Sequence, residues 1–140
     1  MRRLTHLGGA RATVGIGLAL TVWHPRLGLA TLAALAASHV AVQILKRLVA
    51  RARPCDVNGQ LLAHVELPDP FSFPSGHAAA AMAVAVSVAL AMPPAGVFLL
   101  PLAGLIAASR VTLRVHHLSD VLAGAALGAA GAVGAYHLLV

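Results

Sequence analysis

Five stretches of this chain contain no Asp, Glu, Lys or Arg: residues 12–23, 27–45, 78–92, 95–109 and 121–140. A chain of 140 residues is one domain's worth and leaves a large share of its surface exposed, so water is a poor solvent for so many apolar runs. Hydrophobic residues make up 59% and charged residues 10%, against roughly 45–50% and 25% in soluble domains. Disorder is excluded, and a lipid bilayer is the solvent the pattern fits. Ten Lys and Arg face four Asp and Glu, but the cations cluster at the edges of the apolar runs and aromatics are scarce. Membrane lipids are therefore the expected partners, and no nucleic acid is expected.

A spanning helix needs about 20 apolar residues and at least about 17. The second and fifth stretches reach this alone; the others need flanking residues such as 8–11 or 75–77. Trp23-His24-Pro25-Arg26 and Pro93-Pro94 punctuate as tight turns, because proline cannot continue a helix interior. The pattern predicts an all-α integral membrane helical bundle of about five transmembrane helices, forming a single domain over residues 1–140. Ala, Gly and Ser dominate the helices, which suits close packing in lipid. Met1-Arg2-Arg3 resembles the start of a signal peptide. His24-Pro25-Arg26 stands where a small-residue cleavage site belongs, so the segment is expected to be retained. Cys55 is the only cysteine, which excludes an intrachain disulfide and a Cys-based zinc site. The connection 54–74 is long and polar, with Asp56, Asn58, Gln60, His64, Glu66 and Asp69, and reads as functional.

Three clusters carry candidate chemistry. Lys46 and Arg53 are nearly two helical turns apart and are expected on one face, with Pro54 ending the helix at Arg53. Read alone, this basic run fits a positive-inside anchor, the preferred role for Arg47 and Arg51, as well as a phosphate grip. Pro74-Ser75-Gly76-His77 opens the third helix. With Pro74 in the first turn, the N–H groups of Ser75, Gly76 and His77 would face an anion, and His77 would supply acid–base chemistry beside it. A serine N-cap with an interfacial histidine is the plainer alternative. In the third cluster, His116 and Asp120 are four apart and would stack on a helix, the carboxylate fixing the imidazole tautomer. A metal pair helped by His117, or a simple helix-start salt bridge, would use the same residues. Arg114 stays open between lipid headgroups and a second phosphate.

Together, Lys46…Arg53-Pro54, Pro74-Ser75-Gly76-His77 and Ser109-Arg110…His116…Asp120 resemble the three-part signature of the type 2 phosphatidic acid phosphatase and vanadium haloperoxidase superfamily. The motifs occupy residues 46–54, 74–77 and 109–120. The resemblance implies an acid phosphatase/vanadium haloperoxidase-like core and phosphate-ester hydrolysis through a phosphohistidine, with no metal and no cofactor. It makes His116 the nucleophile, Asp120 its orienting partner and His77 the proton donor to the leaving oxygen. Lys46, Arg53, Ser75, Gly76 and Arg110 become the phosphate cradle. With these apolar spans, the implied enzyme is a membrane phosphatase acting on a lipid phosphate or diphosphate: phosphatidate, phosphatidylglycerol phosphate, or a polyprenyl phosphate or diphosphate. A non-catalytic phosphate-lipid binder or transporter would share the cradle, and a metal-dependent membrane hydrolase is a further alternative. The soluble haloperoxidase branch does not fit the apolar spans.

The same family usually has six spanning helices in bacterial membranes and an active site facing the extracytoplasmic side. If five helices alternate here, nine of the ten cations fall at the active-site end and only Arg26 at the other. Setting the three cradle cations aside leaves the imbalance in place, so the positive-inside rule favours a cytoplasmic site in the plasma membrane.

Overall fold

The computed structural model describes residues 6–57, 60–61 and 69–140; Arg2, Arg3, Asn58, His64 and Glu66 lie outside them. After a short 3₁₀ turn at His6–Gly8, the helices are α1 (Ala10–Trp23), α2 (Pro25–Val49), α3 (Gly76–Ala91), α4 (Pro93–Thr112) and α5 (Leu118–Leu139). Among the described residues, the extended structure is a two-residue antiparallel pair, Asp56–Val57 with Gln60–Leu61, and an isolated bridge between Ala52 and Phe71.

Pro25 starts α2 and Pro93-Pro94 start α4, where a missing N–H costs nothing because first-turn donors lack helical partners. The fourth helix runs further than its apolar stretch. It passes through Pro101 and carries Arg110 inside its last turn. The second helix, by contrast, stops at Val49, four residues short of the boundary expected at Arg53. Ala50 adopts a left-handed conformation (φ 47°) and its N–H closes onto the Lys46 carbonyl at 2.9 Å, which caps the helix. Arg53 therefore reaches the site from a loop rather than from the face that carries Lys46.

α2, α3 and α5 pack on one another, while α4 packs on α3 and α1 on α2. Alanines dominate the contacts: Ala34, Ala83 and Ala132, with Leu35 and Val84, join α2, α3 and α5, and Ala81, Ala85 and Ala103, with Ile106, join α3 and α4. Gly124 and Gly128 of α5 sit directly on the backbone of α3, against the Ser75 and Ala79 carbonyls. The buried hydroxyls of Thr31 and Ser109 bond back to their own helices, to the Leu27 carbonyl at 2.8 Å and the Ile106 carbonyl at 2.6 Å. No apolar medium is then asked to solvate them.

The outside of the bundle is apolar. Leu48, Phe98 and Trp23 are about three-quarters exposed, which lipid accommodates and water does not. α2, α4 and α5 are each long and apolar enough to cross a bilayer. α1 and α3 are shorter, with 14 and 16 residues; at 1.5 Å per residue α3 spans about 24 Å of a hydrocarbon core about 30 Å thick. The last turn of α2 and the starts of α3 and α5 meet at one end of the bundle.

Candidate active site

At that end the three sequence clusters converge. Lys46, in the last turn of α2, is 5% exposed and its Nζ donates to Asp69 Oδ1 at 2.9 Å and to the Phe71 carbonyl at 2.8 Å. Arg53, 3% exposed, donates from Nε to the Asp69 carbonyl (3.2 Å), from Nη2 to Asp69 Oδ1 (3.3 Å) and from Nη1 to the Val115 carbonyl (2.9 Å). Its Nη1 also lies 3.4 Å from His116 Nε2. Two cations separated in sequence by the helix end are thus brought together by one loop.

His116 is buried in the turn between α4 and α5, two residues before α5 begins. It does not stack on Asp120 as a helical i,i+4 pair would. Its Nδ1 donates to the Ser72 carbonyl at 2.6 Å, while Asp120 Oδ2 stands 3.8 Å away. A carbonyl can only accept, so Nδ1 holds the proton, and in the neutral ring Nε2 presents a lone pair toward Arg53. The tautomer expected from Asp120 is present, but a backbone oxygen sets it. Asp120 is instead the N3 residue of α5. Its Oδ2 accepts from the His117 N–H at 2.7 Å and its Oδ1 from Arg51 Nη1 at 2.9 Å.

Burial, and after it the positive charges of Arg53 and Arg110, push the His116 imidazole down to about 2. The sign is clear: as pH falls through the ordinary imidazole range, the ring stays neutral. Histidine NMR on the labelled protein is expected to show no protonation of His116 between pH 8 and pH 5. A midpoint in that interval would mean that the ring is not held among these cations. Burial also lowers Arg53 from its ordinary value, opposed by the Asp69 carboxylate; a guanidinium remains charged regardless.

Ser75 is the N-cap of α3, with Pro74 one residue outside the helix rather than in its first turn. The Ser75 N–H donates to the Asp120 carbonyl at 2.8 Å, so it is not one of the donors expected to meet an anion. Gly76 and His77 supply the first-turn amides, and a Cβ at Gly76 would meet only a Val42 methyl at 3.8 Å. His77 is half-buried in the first turn, with Gly8 close to its backbone. Arg110 is buried in the last turn of α4, and its carbonyl accepts from the Val115 and His116 N–H groups, each at 3.2 Å. That pair of bonds folds the turn which presents His116.

Two participants escaped the sequence reading. Arg51, read as an anchor, donates to Ser119 Oγ at 2.7 Å as well as to Asp120. Asp69, counted only among the polar loop residues, ties Lys46 to Arg53. Arg47 is exposed, as an anchor would be, and so is Arg114, whose φ is 54°. His117 is the N-cap of α5.

A cavity of ≈ 310 Å³ opens among α1, α2 and α3, lined chiefly by apolar and small side chains including Leu32, Leu35, Val42 and Ala79, with Thr13, Ser38 and His39 as polar members. It reaches Gly76 at its cradle end.

A buried cationic centre thus stands beside a neutral imidazole at one end of an apolar helical bundle. The family model of the PAP2 superfamily matches residues 27–140, and the chain belongs to that superfamily. It is 40% identical over 96 residues to the decaprenylphosphoryl-5-phosphoribose phosphatase of Mycobacterium tuberculosis, in strains CDC 1551 and H37Rv, covering 66% of this chain and 50% of that protein. The chain thus spans about half the length of the curated relatives it matches. The crystal structure of Aquifex aeolicus LpxE superposes with a TM-score of 0.80 at 25% identity, over 96% of this chain and 81% of that one. A crystal structure described as the first transmembrane PAP2-type phosphatidylglycerolphosphate phosphatase, from Bacillus subtilis, gives 0.78 at 27% identity, over 98% and 73%. With its apolar helices and these neighbours, the chain is a helical membrane protein.

Proposed function

We propose that residues 1–140 form a single membrane-embedded lipid phosphatase domain whose reaction runs through His116. The observation that carries this reading is the Nε2 lone pair of a neutral imidazole 3.4 Å from the Arg53 guanidinium, a nucleophile beside the group that would hold its target. Lys46, Arg53 and Arg110 take the phosphoryl oxygens, helped by the first-turn amides of Gly76 and His77 and by the Ser75 hydroxyl. His116 Nε2 attacks phosphorus in line with the ester oxygen, and the P–O bond breaks as the P–N bond forms. His77 gives a proton to the departing alcohol. It then takes one from the water that cleaves the phosphohistidine, releasing orthophosphate and restoring the neutral ring. Asp120 helps to carry the positive charge that develops on His116. Charge neutralisation by three side-chain cations is the dominant catalytic effect, so the scheme draws on no metal ion.

The cavity beside Gly76 suits the first part of a lipid tail, since ligand pockets begin at about 300 Å³ and are mostly apolar. The Mycobacterium relative's name points to a phosphate on a polyprenyl-linked headgroup, and we take that class, ahead of phosphatidate and phosphatidylglycerol phosphate, as the substrate. The excess of basic residues at the site end supports a cytoplasmic-facing site in the plasma membrane.

Phosphate release by the purified, detergent-solubilised protein tests the reading across polyprenyl-linked phosphates, polyprenyl diphosphate, phosphatidate and phosphatidylglycerol phosphate. Turnover is expected to persist in EDTA, to be blocked by orthovanadate, and to be fastest with a polyprenyl-linked monoester. Loss of activity with chelator and indifference to vanadate would favour a metal-dependent hydrolase instead. For the orientation, an Arg114→Cys variant lacking Cys55 should resist an impermeant thiol reagent added outside sealed, right-side-out vesicles; ready labelling would put the site on the opposite face.

A further inference from the structure

The loop that closes the cradle brings a carboxylate into it that the reaction above does not use. Asp69 Oδ1 accepts from Lys46 Nζ at 2.9 Å, from Arg53 Nη2 at 3.3 Å and from the Phe71 N–H at 3.0 Å. The last bond spans two residues and is an Asx-type turn, which aims the carboxylate independently of the cations. Three donors converge on one oxygen that has two lone pairs. A cation donor can therefore transfer to another anion without leaving the carboxylate bare. Both cations are buried while Asp69 keeps 23% of its side-chain surface exposed, so the carboxylate lies on the solvent side of the pair.

Resting on the phosphatase reading, we propose that Asp69 is an internal anion that positions Lys46 and Arg53 and opposes the phosphoryl group electrostatically, limiting how tightly the site holds phosphate. Lys46, Arg53 and Arg110 alone set three positive charges against an orthophosphate dianion. Asp69 reduces that to a balance closer to the charge of the ligand. A cradle without it would grip substrate, product and transition state alike, and uniform tightening of that kind gives no gain in turnover once the substrate is saturating. Asp69 is thus a positioning residue that favours product release. Like-charge opposition at short range in a partly buried site is strong enough to change affinity by an order of magnitude.

The test measures binding apart from hydrolysis. Dissociation constants for inorganic phosphate and orthovanadate are determined for the wild-type chain, Asp69→Asn and Asp69→Glu, followed by KM and kcat. Asp69→Asn keeps an oxygen for Lys46, Arg53 and Phe71 but removes the charge. It is expected to bind both anions about tenfold more tightly, with KM and kcat both lowered and a burst of alcohol release preceding the steady state. Asp69→Glu should stay within about twofold of the wild type in anion affinity, because its charge is retained. If Asp69 only staples the loop, Asp69→Asn will bind the anions equally or more weakly, and the proposal fails. Should Asp69→Asn not fold, Asp69→Ser, which can still accept from the Phe71 N–H, gives the same comparison. A wild-type protein that binds neither phosphate nor vanadate would instead overturn the phosphatase reading, and this proposal with it.

Discussion

His116→Ala is expected to lower kcat by about 10⁴-fold or more, because the variant loses the atom that attacks phosphorus in the proposed reaction. Binding of orthophosphate should survive in this variant, since Lys46, Arg53 and Arg110 hold their charges without the ring. The contrast with Asp120→Asn is informative. Asp120 Oδ2 is 3.8 Å from Nδ1, whereas the Ser72 carbonyl is at 2.6 Å. The tautomer therefore outlasts the loss of the carboxylate charge, and Asp120→Asn should cost about 10–10²-fold through weaker support of the developing imidazolium. Rapid quenching at alkaline pH with phosphorus-labelled substrate checks the assignment: label should appear on His116 as an acid-labile, base-stable adduct. Label on another residue, or undiminished turnover by His116→Ala, would remove His116 from the nucleophile's role. Equal losses in the two variants would mean that Asp120, not Ser72, holds the ring during turnover.

The helices were legible from the sequence because lipid solvation writes itself into composition. The five charge-free runs each lie largely within one helix, and Pro25, Pro93 and Pro94 mark two of the starts. The clusters that converge at one end of the bundle were legible through motif spacing, but the local geometry that joins them was not. Lys46 and Arg53 were expected on one helical face; Ala50 ends the helix between them, in a left-handed conformation that no alanine announces. His116 and Asp120 were expected to stack at i,i+4, yet α5 begins at Leu118 and leaves His116 in a turn. The partners that replace the expected ones are backbone carbonyls, of Ser72, Val115 and Phe71. Every residue has such a group, so sequence carries no mark of which one will be used. Asp69 and Arg51 were hidden for a related reason. A carboxylate in a polar loop and an arginine at a membrane boundary are common, and only tertiary folding shows that one lies between two buried cations and the other on Asp120.

Gly128→Ala should destabilise the protein by about 3 kcal/mol, although alanine favours an isolated helix by up to about 1 kcal/mol over glycine. The sign reverses because α5 lies backbone-to-backbone on α3: a Cβ at Gly128 would fall on the Ala79 carbonyl, which a rotamer change cannot move aside. Gly134 is the internal control. It is in the same helix, and a Cβ there meets nothing within 4 Å, so Gly134→Ala should be neutral or slightly stabilising. Unfolding in mixed detergent micelles measures both. Gly124→Ala carries the argument from packing to chemistry, since its added methyl would strike the carbonyl of Ser75, the N-cap of the helix whose first-turn amides face the proposed phosphate site. Pushing that end of α3 by about 1 Å should cost roughly 10²-fold in kcat/KM even where the protein remains folded. Gly128→Ala, one turn deeper and against Ala79, should show its loss mainly as lowered stability. If both alanines leave stability and turnover unchanged, α3 and α5 are not in backbone contact, and the close approach that fixes Ser75 against Asp120 is absent.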